Sequence, residues 1–150
     1  RQMKDPRVPM VTVTNVEMTR DAKQATVFIS IIAVNQTHTD PDLMRQVFSN
    51  LLENAIKYSP EDSVVIVSTR EQDNQLVIEF KDQGIGIPEE DLPNIFMKFF
   101  RSHSVKTSTI KGSGLGLYLA NYFTELHRGK ITVISQTSNG STFTVLLPNI

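Results

Sequence analysis

The stretch at residues 50–58 reads Asn50-Leu51-Leu52-Glu53-Asn54-Ala55-Ile56-Lys57-Tyr58. An α-helix turns about 100° per residue, so positions i, i+4, i+7 and i+8 share one of its faces. Those positions hold Asn50, Asn54, Lys57 and Tyr58. The adjoining face is apolar and would meet a core; it comprises Met44, Phe48, Leu51, Leu52 and Ala55. The stretch therefore predicts a helix with a polar face beside its buried one.

The polar face of this helix suits a planar, polyanionic ligand. A carboxamide oxygen can ligate a hard cation, a lysine ammonium can meet phosphate, and an aromatic ring can pack on a base. An ordinary solvated helix surface explains the same residues, and the stretch alone does not decide between the two interpretations.

Length and composition limit the class of protein. The chain has 150 residues, a formal net charge of −1 and no cysteine. This length suits a single domain over residues 1–150, and the small net charge argues against a general nucleic-acid surface. The lack of cysteine excludes disulfides, thiolate zinc sites and cysteine nucleophiles. No apolar run is long enough to span a membrane, so we expect a cytoplasmic chain without membrane contact of its own, from a parent that can be membrane-anchored.

The N-terminal segment predicts a β-hairpin. Residues 10–16 and 25–32 are rich in β-branched residues and flank a polar connection at residues 19–23. Residues 4–32 resemble the central hairpin of ribosome-binding factor A, a small KH-type protein that matures the small ribosomal subunit. We interpret the hairpin as two strands that complete a sheet, and RNA or ribosome binding through it is the alternative.

A helix start and a second hairpin follow. Asp40 and Pro41 predict the start, since aspartate caps a first turn and proline suits the first helical position. Residues 63–69 and 75–81 predict the hairpin, which runs into Asp82-Gln83-Gly84-Ile85-Gly86-Ile87-Pro88. A carboxylate beside glycine backbone could read an exocyclic amine such as that of adenine. A plain turn is the alternative.

The next segment predicts a short helix and an aromatic turn. A helix start lies at residues 88–93, and three phenylalanines follow within residues 96–100. Such aromatic runs more often pack in a core than carry chemistry. Arg101 is a candidate phosphate contact, with a solvated arginine as the alternative. Residues 102–110 lack an apolar period and predict a mobile loop.

A glycine-rich turn, Lys111-Gly112-Ser113-Gly114-Leu115-Gly116-Leu117, opens a helix that ends near His127. Free N–H groups and the positive end of a helix dipole suit phosphate. The Gly-x-Gly-x-Gly spacing differs from the Rossmann fingerprint and from the P-loop. Residues 130–136 and 141–147 predict a final hairpin. The predicted buried stripe of the helix comprises Leu115, Tyr118, Leu119, Tyr122, Phe123 and Leu126.

In their order and spacing, four of these motifs resemble the N, G1, F and G2 boxes of sensor histidine kinases: residues 50–58, 82–86, 96–101 and 112–116. The resemblance covers residues 39–148. It implies the catalytic ATP-binding domain of such a kinase, with the α+β Bergerat fold shared by gyrase, Hsp90 and MutL. That fold is a two-layer α/β sandwich, with a mixed but mostly antiparallel sheet and three main helices on one face. The kinase-type domain would occupy residues 35–150, after a hairpin segment at residues 1–34.

The same resemblance implies a role for each candidate site residue. Asn54 would ligate Mg²⁺. Catalytic contacts at the phosphates of ATP would come from Asn50, Lys57 and Arg101. Tyr58 would pack near the adenine and Asp82 would accept from its amino group, with residues 102–111 as a lid. The remaining nucleotide contacts would come from Gly84, Gly86, Ile87, Lys111, Gly112, Gly114, Leu115, Gly116 and Thr142.

One position distinguishes branches within this superfamily. The ATP-hydrolysing branches carry a glutamate four positions before the magnesium asparagine, where it activates water. This chain has Asn50 there, and Glu53 lies off the asparagine face by roughly a quarter of a turn. The resemblance therefore implies a kinase-type domain, whose nucleophile is a histidine on a dimerisation domain. His38, His103 and His127 lack the sequence setting of that histidine.

We therefore expect Mg-ATP as ligand, a histidine-containing dimerisation domain as phosphate acceptor, and a response regulator downstream. Alone, the chain should turn ATP over hardly at all. A nucleotide-binding module without phosphotransfer is the alternative from another class.

In the family, a strand, a helix and a strand precede the asparagine helix. The hairpin at residues 4–32 takes their place, so a further hypothesis is a chimera, natural or engineered, whose hairpin strands join the kinase-type sheet.

Overall fold

The described part of the chain contains nine segments of regular structure. The computed structural model describes residues 10–18, 25–32, 40–102 and 110–148, the first two only as paired backbone strands. In chain order the segments are β1 (Met10–Met18), β2 (Ala25–Ile32), α1 (Pro41–Lys57), β3 (Ile66–Gln72), β4 (Gln75–Lys81), a 3₁₀ turn (Leu92–Asn94), α2 (Gly116–Leu126), β5 (Lys130–Ser135) and β6 (Ser141–Pro148).

Strands β3 to β6 form one sheet in the order β3-β4-β6-β5. All three pairings are antiparallel, which confirms both predicted hairpins of this region. The core lies between the sheet and the helices, and it contains Leu51 of α1, Ala120 of α2, Phe80 of β4 and Val145 of β6. This is the predicted two-layer α+β sandwich.

The helices differ in number from the prediction. The described residues contain two α-helices and one 3₁₀ turn, where three main helices were predicted. The backbone bonds after Pro88 span three residues, as from Asn94 N to Asp91 O at 2.9 Å. Pro93 has no N–H, so it cannot make the four-residue bond of an α-helix. Neither α-helix within the described ranges is long and apolar enough to cross a membrane.

Helix α1 begins as the sequence predicts. The carboxylate of Asp40 accepts hydrogen bonds from the N–H groups of Asp42 at 2.9 Å and Leu43 at 3.2 Å, and Pro41 lies in the first turn. The apolar face is buried, and it comprises Met44, Val47, Phe48, Leu51, Leu52 and Ala55. This burial fixes the rotation of the helix about its axis, and with it the direction of the polar face.

Helix α2 buries a narrower stripe than its sequence predicts. Ala120 and Thr124 are fully buried, whereas Tyr122 and Leu126 are 46% and 56% exposed. The Thr124 Oγ1 donates to the carbonyl of Ala120 at 2.8 Å, which satisfies the buried hydroxyl. The helix packs mainly against α1 and only marginally against β5, so one narrow side of it is covered.

The N-terminal hairpin is confirmed as a pair of strands. Strands β1 and β2 pair antiparallel, from Met10 opposite Ile32 to Met18 opposite Ala25. They form a two-stranded sheet of their own. The hypothesis that they join the kinase-type sheet is therefore wrong for the described strands. The chimera hypothesis and the division of the chain at residue 34 stay predictions.

Candidate functional site

A cavity of about 500 Å³ lies between α1, the loop after β4, the glycine-rich turn and the aromatic segment at residues 96–100. Motifs that lie far apart in the sequence therefore meet around one opening. The predicted site residues that line this cavity are Asn50, Asn54, Lys57, Tyr58, Gly86, Ile87, Arg101, Gly112, Gly114, Leu115 and Gly116.

The polar face of α1 meets the glycine-rich turn across the cavity. A Cβ atom added to Gly112 would lie 2.7 Å from Nζ of Lys57, and one added to Gly116 would lie 3.5 Å from Oδ1 of Asn50. Helix α2 begins at Gly116 after Leu115, and no side chain caps its first turn. Its first N–H groups and its positive dipole end therefore lie beside Asn50, at the end of a turn whose first glycine meets the lysine ammonium. This arrangement favours an anion.

Two cations lie near each other at this part of the cavity. Burial lowers the pKa of Lys57, the charge of Arg101 lowers it further, and Glu53 partly opposes both. Two like charges disfavour each other unless an anion lies close to them. The Arg101 guanidinium also donates to the carbonyl of Ile110, which holds its side chain in place. An anion bound close to both cations would offset their repulsion.

Tyr58 connects α1 to the loop after β4. Its carbonyl accepts a hydrogen bond from the N–H of Ile85 at 3.1 Å, and Nζ of Lys57 lies 5.4 Å from the centroid of its ring. Burial raises the pKa of Tyr58, and the charge of Arg101 partly opposes the rise. The half-buried ring thus forms a wall of the cavity between its charged part and the loop.

Asp82 lies beneath this loop and is only 5% exposed. Its Oδ1 accepts hydrogen bonds from the N–H groups of Gly84 at 2.8 Å and Ser141 at 3.1 Å. Burial raises the pKa of Asp82, and these two hydrogen bonds oppose the rise. Both hydrogen bonds that the described residues make to this carboxylate fall on Oδ1. Oδ2 accepts no hydrogen bond from the described residues and so keeps its acceptor capacity.

Two glycines that line the cavity have backbone conformations that other residues rarely adopt. Gly86 and Gly114 have φ angles of 69° and 73°. A Cβ atom on Gly86 would lie 2.0 Å from the carbonyl oxygen of Gln136. The carbonyl of Gly114 accepts from the N–H of Phe99 at 3.0 Å, which ties the glycine-rich turn to the aromatic segment. In each of these two loops, the glycine therefore contacts the backbone of a neighbouring segment directly.

Four predicted site residues lie outside the cavity lining: Asp82, Gly84, Lys111 and Thr142. Asp82 and Gly84 are both buried. Gly84 packs against backbone, since a Cβ atom on it would lie 2.6 Å from the carbonyl oxygen of Tyr58. Lys111 is exposed. Of the predicted lid at residues 102–111, Ser102 lines the cavity, and residues 103–109 lie outside the described residues.

Thr142 lies on the outer face of the sheet. It pairs with Lys81 of β4 and Ile134 of β5, and it alternates with the buried Phe143. Ser141, one residue earlier, is buried on the inner face, where its N–H bonds to Asp82. Period-two alternation places Ser141 on the same face as Phe143, so the strand pattern carried this information in the sequence.

Several cavity residues were not assigned to the site from the sequence. The exposed side chain of Glu53 lines the rim, although helix geometry placed it off the asparagine face. The others are mostly apolar, and only their place in the fold separates them from ordinary core residues. The additional lining residues are Glu53, Ile85, Ile95, Phe100, Ser113, Leu117 and Leu119.

Comparison with known proteins assigns a family. Residues 39–150 match the family described as histidine kinase-, DNA gyrase B-, and HSP90-like ATPase. The chain belongs to this family. The family prediction is therefore confirmed, and the fold is that of the ATPase-type catalytic domain of sensor histidine kinases.

Curated relatives are sensor kinases. The chain is 35% identical over 144 residues to sensor histidine kinase WalK of Bacillus subtilis, which covers 95% of this chain and 22% of WalK. It is 40% identical over 109 residues to sensor-like histidine kinase SenX3 of Mycobacterium tuberculosis, which covers 73% of this chain and 27% of SenX3. The chain thus spans about a quarter of their length. An alignment of 144 residues also extends into the segment before residue 39.

Solved structures agree. The mycobacterial sensor histidine kinase MprB matches with a TM-score of 0.68 and 30% identity, over 75% of this chain and 76% of that one. The catalytic domain of histidine kinase ThkA matches with a TM-score of 0.63 and 30% identity, over 74% and 69% of the two chains.

Proposed function

We propose that this chain binds Mg-ATP in the cavity and passes the γ-phosphate to a histidine on a dimerisation domain. A response regulator would then receive the phosphoryl group. The observation that carries the proposal is the convergence of Lys57 with the glycine-rich turn and the uncapped start of α2, near a buried acceptor, Asp82. A nucleotide presents this combination of a polyanionic chain and a base with an exocyclic amine.

At the end of the cavity that would hold the base, Asp82 is the group that recognises adenine. Its Oδ1 is held by two backbone N–H groups, so Oδ2 accepts from the adenine amine. Tyr58 and Ile87 form apolar walls against the ring. We assign the neighbouring hydroxyl to Ser141 instead of Thr142, because Ser141 lies on the inner face beside the carboxylate.

At the phosphate end, Lys57 and Arg101 neutralise charge, and the first N–H groups of α2 donate hydrogen bonds to phosphate oxygens. Asn54 supplies a carboxamide oxygen for Mg²⁺. The described ranges contain no group of three His, Cys, Asp or Glu side chains able to hold a metal, which fits Mg²⁺ held by few protein ligands, phosphate oxygens and water. When bound, Mg²⁺ would supply positive charge that neutralises the phosphate chain.

The site holds ATP without a built-in route to hydrolysis. Asn50 lies where the ATP-hydrolysing branches carry a glutamate, and its amide cannot take a proton from water. Its carboxamide lies beside the start of α2, so its Nδ2 group can donate a hydrogen bond to the phosphates there. The nucleophile therefore comes from another domain, in keeping with the sensor-kinase relatives.

Calorimetric titration tests the proposal. Mg-ATP and Mg-ADP should bind the wild-type chain, and Asp82→Asn should abolish binding of both, because the amide would turn an acceptor into a donor or leave the adenine amine unpaired. Glu79→Gln is the matched control, since it neutralises an acid of the same strand that pairs with Arg70 instead. A folded wild-type chain that binds neither nucleotide would contradict the proposal.

A second experiment separates a kinase domain from a binding module. The chain, Mg-ATP labelled at the γ-phosphate and a separately purified dimerisation domain of a related sensor kinase are incubated together. Transfer of label to the histidine of that domain supports phosphotransfer. Binding of Mg-ATP without transfer to any of several such domains would favour the module without phosphotransfer.

A further inference from the structure

One hydroxyl group joins the cavity-lining loop at Ile87 to two segments that lie behind the lining. Ser135 is the last residue of β5 and pairs with Ser141 of β6. Its Oγ accepts a hydrogen bond from the N–H of Ile87 at 2.9 Å and donates to the carbonyl of Gly140 at 3.0 Å. It also lies 2.9 Å from Oγ of Ser141. The group therefore connects the loop that lines the cavity with the β5–β6 turn and the residue beside Asp82.

The direction of the Ser135–Ser141 hydrogen bond follows from its surroundings. A hydroxyl has one hydrogen and two lone pairs. The carbonyl of Gly140 can only accept, so it takes the hydrogen of Ser135. The N–H of Ile87 can only donate, so it takes one of the lone pairs of Ser135. Ser141 must therefore donate its own hydrogen to the other lone pair.

With its hydrogen committed, the Ser141 oxygen can only accept from other groups. The backbone N–H of the same residue donates to the carboxylate of Asp82 at 3.1 Å, so Ser141 and Asp82 are neighbouring residues. A ligand edge that meets these oxygens must carry hydrogen-bond donors. The exocyclic amine of adenine carries two, and the oxo group of hypoxanthine carries none.

We propose that Ser135 is a specificity-determining positioning residue, which holds Ser141 as an acceptor and so makes the site favour a 6-aminopurine over a 6-oxopurine. This inference rests on the proposed nucleotide-binding function. Without the Ser135 hydroxyl, the Ser141 hydroxyl can turn and donate to an oxo group, so one source of discrimination is lost. Asp82 remains a second source, and selectivity falls without vanishing.

The test measures the dissociation constants of Mg-ATP and Mg-ITP for the whole chain by calorimetry. Wild type should bind Mg-ATP more tightly than Mg-ITP. Ser135→Ala should lower the ratio of the Mg-ITP dissociation constant to the Mg-ATP dissociation constant by about tenfold, the factor expected for one hydrogen bond. Ser135→Thr retains the hydroxyl in a strand that tolerates β-branching and should keep the wild-type ratio. Thr132→Ala, which removes a hydroxyl from the outer face of the same strand, is the matched control.

The outcomes are distinguishable. A merely structural hydroxyl would affect both nucleotides alike, so an unchanged ratio in Ser135→Ala would overturn the inference. If circular dichroism shows that this variant is unfolded, Ser141→Ala decides: it removes the acceptor oxygen but leaves the bonds of Ser135 to Ile87 and Gly140, and its ratio must also fall. Binding of neither nucleotide by folded wild type would instead overturn the proposed function.

Discussion

The imidazole Nε2 of His127 accepts a hydrogen bond from the backbone N–H of Asp40 at 2.9 Å, across 87 positions of sequence. The other ring nitrogen lies 2.6 Å from the carbonyl of Phe123 and therefore carries the hydrogen. Both ring nitrogens are therefore bonded to backbone. The ring ties the residue after α2 to the residue that caps α1, and so joins the two helices that line the cavity.

Removing this imidazole should destabilise the chain. We expect His127→Ala to lower the free energy of unfolding by about 1–2 kcal/mol, because it removes two hydrogen bonds and leaves the N–H of Asp40 to water. Urea denaturation measures the change. Lys130→Ala, an exposed substitution nearby, should change stability by less than about 0.5 kcal/mol. Equal effects of the two substitutions would mean that the His127 bonds contribute nothing.

The ionised carboxylate of Asp82 should lower the free energy of unfolding at neutral pH. Burial raises its pKa in the folded chain above the ordinary value, so the folded state binds this proton more tightly than the unfolded state. Its contribution to stability is therefore present below the unfolded pKa and is lost as pH rises through the folded pKa. Asp82→Asn cannot ionise, so we expect it to be at least as stable as wild type at pH 7.

Thermal unfolding in the acid range and at pH 7 checks this expectation. The stability advantage of Asp82→Asn over wild type should shrink as the pH falls, since wild-type Asp82 then becomes protonated as well. An Asp82→Asn chain that is less stable than wild type at pH 7 would show that the ionised carboxylate stabilises the fold through its bonds to Gly84 and Ser141. In that case the loss of nucleotide binding could not be assigned to adenine recognition alone.

Two glycine substitutions should change the free energy of unfolding in different ways. Gly86→Ala should lower the free energy of unfolding by about 2 kcal/mol or more, because φ is 69° and the new Cβ would meet the carbonyl of Gln136 at 2.0 Å. Gly116→Ala should be neutral or stabilising, because it lies in the first turn of α2 with ordinary contact distances. Denaturant unfolding of both variants tests this, and a tolerated Gly86→Ala would contradict the loop geometry.

Two lysines near the glycine-rich turn should differ in their effect on binding. We expect Lys57→Gln to weaken Mg-ATP binding by about 10- to 100-fold, the range for hydrogen bonds to charged groups. Lys111→Gln should weaken it much less, since Lys111 is exposed and lies outside the cavity lining. Both variants lose one positive charge, so each controls for net charge. Equal losses would make Lys111 a nucleotide contact, as the family resemblance implies.

Much of the site was predictable because its motifs are local. The helix at residues 41–57 follows from its Asp40 cap, Pro41 and a helical period of apolar residues, and its rotation follows from which face is apolar. That rotation was enough to align Asn50, Asn54 and Lys57. Glycine spacing likewise marked the turns at Gly86 and Gly114, whose positive φ angles few other residues tolerate.

Other features depended on contacts between distant segments. The exposure of Tyr122 and Leu126, and the placement of Ile95 and Phe100 in the cavity wall, depend on which elements pack together. An apolar side chain has no property of its own that separates core from cavity wall. Strand alternation places Ser141 on the inner face and Thr142 on the outer face, and this information was present in the sequence. The role that the family resemblance implies for Thr142 stays a prediction.

Local sequence therefore determined the helices, the hairpins and the four motifs, because caps, turn residues and periodicity act over a few neighbouring positions. The tertiary structure decided how these motifs meet: Lys57 against Gly112, Asp82 against Ser141, and Ser135 against Ile87. Those contacts join residues that are far apart in the chain. They form only when the sheet and helices bury their apolar faces together, so no local pattern specifies them.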